Sequence, residues 1–213
     1  MLVSERMSHP VISIAPDLPI MEALNLIKRE RIRRTPVVEH GKLVGIVSEK
    51  DLLHATPSEA TTLSVWELNY LLSKIQVKDV MTKKVITVAA DTPIEEAARL
   101  MADNKIGGLP VMRDGKVVGI ITETDLFKIF LEMLGARQKA VRISMLMSNQ
   151  AGEIAKLSQA IFQRGGNIIA LGTFAGEDPS NSLVTVKVAG PSLEELRATV
   201  EPLALRLTDI RVC

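Results

Sequence analysis

The sequence has few of the residues on which several common classes of protein depend. Its one cysteine, Cys213, excludes an internal disulfide framework and a cluster of thiolate zinc ligands, and fits a reducing cytoplasm. Aromatic residues make up 3% of the 213 residues, so Val, Ile, Leu, Met and Ala must build the cores. No stretch approaches the roughly 20 apolar residues that span a bilayer, and the N-terminus lacks the apolar segment of a signal peptide. These absences predict a cytosolic globular protein of about two domains.

Charge and the scarcity of catalytic motifs narrow the function classes further. The 26 basic and 25 acidic residues disfavour a nucleic-acid binder, because phosphate neutralisation supplies most of the affinity of such proteins. His9, His40 and His54 lack metal-ligand spacing, and the sequence has no Walker loop or nucleophile elbow. We therefore expect no catalytic residue, no metal and no obligatory cofactor. A nucleic-acid-associated transcriptional regulator and, less favoured, a small nucleotide-acting enzyme stay open as alternatives.

An internal repeat dominates the first part of the chain. A shift of 74 residues aligns residues 7–53 with residues 81–127 without a gap, at about 21 identities in 47. Each copy reads as a short strand, a helix, two strands joined by a tight turn, and a second helix. The first short strands are predicted at residues 11–14 and 85–88. The chain therefore contains a β-α-β-β-α unit twice.

Local signals predict the same elements in both copies. In the first copy, Asp17 can cap a helix that Pro19 opens, because proline in the first helical turn loses no needed N–H. Residues 40–41 form a hairpin turn in which both residues must tolerate positive φ. Ser48 is a predicted N-cap, with Asp51 in the first turn of the next helix. The second-copy equivalents are Asp91, Pro93, residues 114–115, Thr122 and Asp125.

The duplicated unit resembles a CBS-domain pair, also called a Bateman module. Its most specific elements are two endings of the form Gly-h-h-[Ser/Thr]-x-x-Asp, at residues 45–51 and 119–125. The resemblance implies a first CBS repeat at residues 1–60, a linker helix at residues 61–80 and a second repeat at residues 81–135. In the linker, Trp66 and Tyr70 lie four residues apart. This spacing fits packing on the module or across a dimer contact, with an aromatic ligand cage as the alternative.

In CBS pairs, purine nucleotides bind in the two clefts between the motifs. The resemblance assigns Asp51 and Asp125 to the hydroxyls of a ribose, and Ser48 and Thr122, at helix N-termini, to a phosphate. Simple helix capping, which needs no ligand, is the alternative for both Ser/Thr-x-x-Asp sequences. The apolar positions that resemble those sandwiching the base are Ile12, Ile32, Ile86 and Ile106.

The two clefts are predicted to differ. Arg33 and Arg34 precede a strand of the first copy where the second copy has Gly107 and Gly108. Arginine offers a planar fork of donors that matches phosphate oxygens, so the cleft lined by Arg33 or Arg34 is expected to prefer a phosphorylated nucleotide. The other cleft would be neutral, and would take an adenosine-like ligand such as S-adenosylmethionine or stay empty. The alternative is that both arginines continue a solvated basic stretch.

Residues 139–213 predict a further β-α-β-β-α-β domain, a ferredoxin-like antiparallel sheet with helices on one face. The sequence Asn149-Gln-Ala-Gly152, with Asn167-Ile168 downstream, resembles the D-x-P-G and G-x-N-I patterns of ACT domains. The ligand residues that the resemblance implies are Asn149, Gly152, Asn167 and Ile168. Asn149 and Ala151 replace the aspartate and proline of the family, so the resemblance implies the fold more strongly than amino-acid binding.

A CBS pair followed by an ACT domain, an α+β or α/β fold, is similar to AcuB-type acetoin-utilisation proteins. The resemblance implies a cytoplasmic, allosteric ligand sensor that is not an enzyme. An adenine nucleotide (AMP, ADP or ATP) or S-adenosylmethionine would be the regulatory ligand, and the ACT domain a second sensor or dimerisation element. The implied partners are a second copy of the chain in a homodimer and an effector enzyme, with no membrane.

Overall fold

The computed structural model describes residues 1–55 and 74–213. The chain divides into two compact units, Met1–Leu126 and Phe127–Cys213. Within the described residues, no helix is both long enough and apolar enough to cross a bilayer. Most of the predicted linker helix, including Trp66 and Tyr70, lies outside the described residues. The predicted domain boundaries remain predictions.

The first copy consists of a helix, a β-hairpin and a short second helix. Its elements are α1 (Ile20–Arg29), β1 (Arg34–Glu39), β2 (Lys42–Ser48) and α2 (Glu49–His54). Strands β1 and β2 pair antiparallel, and the turn residues His40 and Gly41 have φ values of 48° and 78°. The predicted turn with two positive φ values is confirmed.

The second copy repeats this arrangement after one short helix. Its elements are α3 (Val77–Val80), β3 (Val88–Ala89), α4 (Ile94–Asn104), β4 (Gly108–Arg113), β5 (Lys116–Thr122) and α5 (Glu123–Met133). Strand β3 pairs parallel with β4, and β4 pairs antiparallel with β5. The turn residues Asp114 and Gly115 again have positive φ values, 51° and 74°.

The predicted start of the first helix in each copy is wrong, both in its first residue and in its N-cap residue. The N-caps of α1 and α4 are Pro19 and Pro93, and neither cap makes a side-chain hydrogen bond. Both prolines have ψ of 141°, which is extended backbone, so each helix begins one residue later. Asp17 and Asp91 therefore precede the cap by two residues and do not serve as N-caps.

The short strand predicted at residues 11–14 is also wrong. Only Ile14 forms a bridge, in parallel with Val37. Pro10 and Pro16 flank this run, and proline has no N–H to donate to a ladder of hydrogen bonds. In the second copy, the strand predicted at residues 85–88 is observed only as the two-residue strand β3 (Val88–Ala89).

The segments that lead into the two copies, which contain Val3 and Val77, are exchanged between the copies. Val3 is fully buried in the core of the second copy, and Val77, 74 residues later, is fully buried in the core of the first. The N–H of Val3 donates to the carbonyl oxygen of Thr92, and that of Val77 to the carbonyl oxygen of Leu18, both at 2.9 Å. Each hydrophobic core is thus completed by the leading segment of the other copy.

The glycine of each Gly-h-h-[Ser/Thr]-x-x-Asp ending accommodates this exchange. The side chain of Met81 lies over Gly45, and that of Met7 lies over Gly119, so that a Cβ at either glycine would collide with the methionine sulfur. The backbone just after each methionine bridges to the strand that holds the glycine. The glycines therefore allow a close approach between copies.

The unit Phe127–Cys213 contains a four-stranded antiparallel sheet in the order β7-β8-β6-β9. Its elements are β6 (Val141–Ser148), α6 (Glu153–Gln163), β7 (Asn167–Ala175), β8 (Asn181–Ala189), α7 (Leu193–Val200) and β9 (Arg206–Val212). Alternate residues of β6 and β8 pack with both helices in one hydrophobic core. This is the β-α-β-β-α-β order that the sequence predicts.

Candidate functional site

A cleft of about 350 Å³ lies between the two copies, within the unit Met1–Leu126. Small-molecule sites typically have volumes of about 300–1,000 Å³, so this cleft is large enough for a ligand. The first copy contributes Arg34, Ile46, Ser48 and Asp51 to its walls. The second copy contributes Thr82, Lys84, Val85, Ile86, Lys105, Ile106, Gly107 and Gly108.

A capping box at the start of α2 holds Ser48 and Asp51 in place. The Asp51 N–H donates to Ser48 Oγ at 3.2 Å, while the Ser48 N–H and hydroxyl donate to Asp51 Oδ2 at 2.8 and 2.7 Å. The predicted N-cap is confirmed. All three bonds involve Ser48 Oγ or Asp51 Oδ2. The second carboxylate oxygen, Oδ1, takes part in none of them.

The second copy repeats this contact at the start of α5. The N–H and hydroxyl of Thr122 donate to Asp125 Oδ2 at 3.0 and 2.7 Å. Asp125 is buried, with 7% of its surface exposed, whereas Asp51 is partly exposed. Neither Thr122 nor Asp125 lines the cleft that holds Asp51. This cleft thus lies beside Asp51 and not beside Asp125.

Arg34 and the glycine pair line the same cleft, and the predicted difference between the two clefts stays a prediction. A Cβ on Gly107 would collide with the Arg34 guanidinium, and a Cβ on Gly108 would lie 3.0 Å from Arg34 Cδ. Because β2 and β5 contact each other, equivalent positions of the two copies face one another. The glycines of one copy therefore leave the space that the arginine of the other copy fills.

Of the two predicted arginines, the structure brings Arg34 to the cleft and leaves Arg33 exposed outside its lining. Burial lowers the pKa of Arg34 from its ordinary value, and the nearby carboxylate of Glu123 opposes that shift. An arginine side chain keeps its proton in proteins, so Arg34 presents a partly desolvated cation to the cleft.

Sequence reasoning missed two lysines in the cleft, Lys84 and Lys105. Both are exposed, and Lys105 has a left-handed backbone at the end of α4, with φ of 54°. Lys84 directly precedes the apolar run at residues 85–88, and Lys105 directly precedes Ile106. That adjacency to a predicted base-binding position was the signal available in the sequence.

The predicted apolar residues separate into two groups. Ile86 and Ile106 line the cleft. Ile12 and Ile32 do not: the carbonyl oxygen of Ile12 accepts a hydrogen bond from Thr35 Oγ1 at 2.6 Å, and Ile32 packs against the core of the first copy. The cleft therefore combines the capping box of one copy with the apolar residues of the other.

The four residues assigned to an ACT ligand site do not form one cluster within the chain. Asn149 and Gly152 lie between the end of β6 and the start of α6. Asn167 and Ile168 begin β7, where Ile168 pairs with Val188, the residue of β8 that also pairs with the start of β6. Strands β6 and β7 are both antiparallel to β8 and so run in the same direction. The two pairs of residues consequently lie at opposite ends of the sheet.

Comparisons with known proteins point to one family for the first unit. The family model for the CBS domain matches residues 3–58 and 77–132. L-aspartate semialdehyde sulfurtransferase of Methanocaldococcus jannaschii is 34% identical over 131 residues, which are 61% of this chain and 23% of that enzyme. The chain thus spans less than a quarter of the length of this relative.

Two crystal structures are similar to the chain. The CBS domain pair of protein MJ0100, in complex with 5′-methylthioadenosine and S-adenosyl-L-methionine, is 31% identical with a TM-score of 0.52. That match covers 65% of this chain and 98% of the other chain. A Vibrio cholerae protein assigned to acetoin utilization (AcuB) is 30% identical with a TM-score of 0.53, over 64% of this chain and 95% of the other.

Proposed function

The chain belongs to the CBS-domain family, and on that premise we propose that it is a ligand-sensing regulatory protein that binds an adenine nucleotide. The observation that carries this proposal is the composition of the cleft. Three cations, Arg34, Lys84 and Lys105, line it together with one carboxylate, Asp51, and with apolar side chains. A nucleotide offers the matching groups: a negative phosphate, two ribose hydroxyls and a flat apolar base.

Each group of the nucleotide has a counterpart in the cleft. The ribose hydroxyls would donate to Asp51, whose orientation the capping box fixes through the other carboxylate oxygen. The base would pack against Ile86 and Ile106, which are partly buried in the cleft wall. The phosphate would accept charge-assisted hydrogen bonds from Arg34 and the two lysines, and such bonds are stronger than neutral ones.

The charge of the lining favours a phosphorylated adenosine over an uncharged or cationic one. Protein MJ0100 binds 5′-methylthioadenosine and S-adenosyl-L-methionine, and neither ligand carries a phosphate. Three cations and one carboxylate line the present cleft, and the carboxylate of Glu123 lies close to Arg34, so the cations still outnumber the carboxylates. Two unit charges 4 Å apart interact by about 4 kcal/mol at an effective dielectric constant of 20. We therefore propose AMP, ADP or ATP as the ligand of this cleft.

Regulation would follow from the position of the cleft between the copies. A ligand that contacts both walls stabilises the arrangement of the two copies that it fits best, and so shifts the population toward it. We propose that residues 139–213 form an ACT-type domain that acts as a second sensor or dimerisation element. The same proposal includes a cytoplasmic homodimer, an effector enzyme elsewhere, a part in acetoin utilisation and no catalytic activity of its own.

The nucleotide proposal is tested by isothermal titration of the full chain with AMP, ATP and S-adenosylmethionine. Arg34→Met is expected to weaken AMP binding by about tenfold or more, since a hydrogen bond to a charged group contributes about 1.5–3 kcal/mol. Arg33→Met is the matched control, because Arg33 is exposed and outside the cleft lining. It should leave the affinity unchanged within about twofold.

Two results would contradict the proposal. One is equal weakening by both arginine variants, and the other is tighter binding of S-adenosylmethionine than of AMP. Native mass spectrometry of freshly purified protein provides a second measurement, because it reports both a retained nucleotide and the number of subunits. An adenine nucleotide bound to a dimer is the expected mass.

A further inference from the structure

The C-terminal sheet carries a buried lysine on the face opposite its helices. Lys187 of β8 is 4% exposed, and its ammonium donates to the carbonyl oxygen of Gly135 at 3.0 Å. Among the residues that the structure describes, no carboxylate forms an ion pair with Lys187. Burial of a charge is unfavourable unless the charge is paired and hydrogen-bonded. One neutral carbonyl oxygen leaves this ammonium short of partners.

The neighbouring strands add to the positive charge. Arg142 of β6 is in register with Lys187 on one side and with Arg211 of β9 on the other. Asp209 accepts hydrogen bonds from both arginines, from Arg142 at 3.0 Å and from Arg211 Nε at 2.9 Å. Two of the three cations in this row therefore share one carboxylate, Asp209, which lies on the side of Arg142 away from Lys187.

A cavity of about 90 Å³ adjoins the buried ammonium. Its lining residues are Leu134, Arg142, Ala170, Phe174, Thr185 and Lys187. Since a water molecule occupies about 30 Å³ in the liquid, this cavity has room for roughly three water-sized groups. It is too small for a nucleotide, and most of its lining surface is apolar, with a small polar part. A small molecule with one charged end and one apolar end fits this combination.

We propose that this cavity binds a small aliphatic monocarboxylate of two or three carbons, such as acetate or propionate. The carboxylate would accept hydrogen bonds from Lys187, Arg142 and Thr185. The Thr185 hydroxyl lies 2.9 Å from that of Ser144, so Ser144 can donate to it while Thr185 donates to the ligand. The methyl or ethyl group would contact Ala170 and Phe174. This site lies in the other unit and does not depend on the nucleotide proposal.

A helix cap and a phosphate site would each account for the buried lysine in a different way. Gly135 lies in the turn two residues beyond the C-terminal end of α5, near carbonyl groups that carry partial negative charge, so Lys187 would need no ligand if it only capped this helix end. An inorganic phosphate would match the positive charge, but its oxygens would face Leu134 and Phe174, which offer no hydrogen bonds. The carboxylate satisfies both the charged and the apolar parts of the lining.

The experiment titrates the full chain with sodium propionate and follows the heat of binding and the melting temperature. Sodium chloride and sodium phosphate at matched ionic strength are the reference salts. Thr185→Val is expected to weaken propionate binding by about fivefold or more, the effect of one lost hydrogen bond, and Lys187→Met should abolish it. Arg211→Gln, in the same row but outside the cavity lining, is the matched control and should bind propionate as the parent does.

The proposal is overturned if phosphate or chloride produces the same shift as propionate, or if Thr185→Val binds as tightly as the parent. A helix cap without a ligand predicts no propionate binding to the parent, together with a lower melting temperature for Lys187→Met. Because Thr185→Val preserves the shape of the side chain, its result stands even if Lys187→Met does not fold.

Discussion

Replacement of Val3 by alanine should destabilise the second copy, although Val3 lies in the leading segment of the first. The side chain of Val3 is fully buried in the core of the second copy. The substitution removes two methyl groups, which at about 0.8 kcal/mol per group corresponds to about 1.6 kcal/mol of lost transfer free energy. The cavity adds roughly 1 kcal/mol at about 24 cal/mol per Å³. We expect the free energy of unfolding to fall by about 2–3 kcal/mol.

Hydrogen exchange measured by mass spectrometry, together with urea unfolding, gives both the site and the size of the effect. Val3→Ala should lower protection in α4, β4 and β5, which surround the second core. Val77→Ala, the matched substitution 74 residues later, should lower protection in α1, β1 and β2 by a similar amount, because Val77 is also fully buried. Leu2→Ala is the control: Leu2 is 38% exposed, so its loss of stability should be smaller than that of Val3→Ala.

Lower protection in α1 and β1 of the Val3→Ala variant, with α4 and β4 unchanged, would contradict the exchange of the leading segments. That pattern would mean that each leading segment packs on its own copy. A loss of stability no larger than that of Leu2→Ala would equally contradict the buried position of Val3.

Two further predictions concern charge. Lys84→Met and Lys105→Met should each weaken the binding of AMP and leave the binding of adenosine nearly unchanged. Both lysines line the cleft, and adenosine has no phosphate for them to bind. Isothermal titration with AMP and with adenosine measures the difference. Hydrogen bonds from the backbone and side chain of Ser192 lower the pKa of Glu195, so the carboxylate contributes stability above its unfolded-state pKa that is lost as the pH falls through its folded-state pKa. Ser192→Ala should raise the pKa of Glu195 toward its ordinary value and reduce the stability that is lost at low pH. A carbon-detected NMR titration of Glu195 measures this pKa. An unchanged pKa would contradict the hydrogen bond from the Ser192 side chain.

Local features of the fold were predictable because they depend on residues close in sequence. The hairpin turn at His40 and Gly41 needs only two residues that tolerate positive φ, and the capping box needs only Ser48 and Asp51. The start of α1 was misplaced because Pro19 adopts an extended conformation that the sequence pattern does not reveal. Short-range sequence patterns thus predicted which helices and turns form, but not the residue at which each helix begins.

The composition of the cleft was less predictable, because it depends on which copy supplies each wall. Sequence comparison aligns Arg34 with Gly108 as equivalent positions, and equivalence suggested two separate clefts. Packing brings Arg34 against both Gly107 and Gly108 instead. Lys105 escaped notice for the same reason, since its importance follows from its position across from Asp51 in the folded unit.

The fit of Arg34 against Gly107 has a consequence for how such a duplicated chain can evolve. A side chain added at position 107 would meet the guanidinium of Arg34 and the carboxylate of Glu123, which are the movable ends of two side chains. A larger residue there would displace the Arg34 guanidinium from its present place rather than disrupt the backbone. The residue at position 107 in one half thus affects where the arginine of the other half lies.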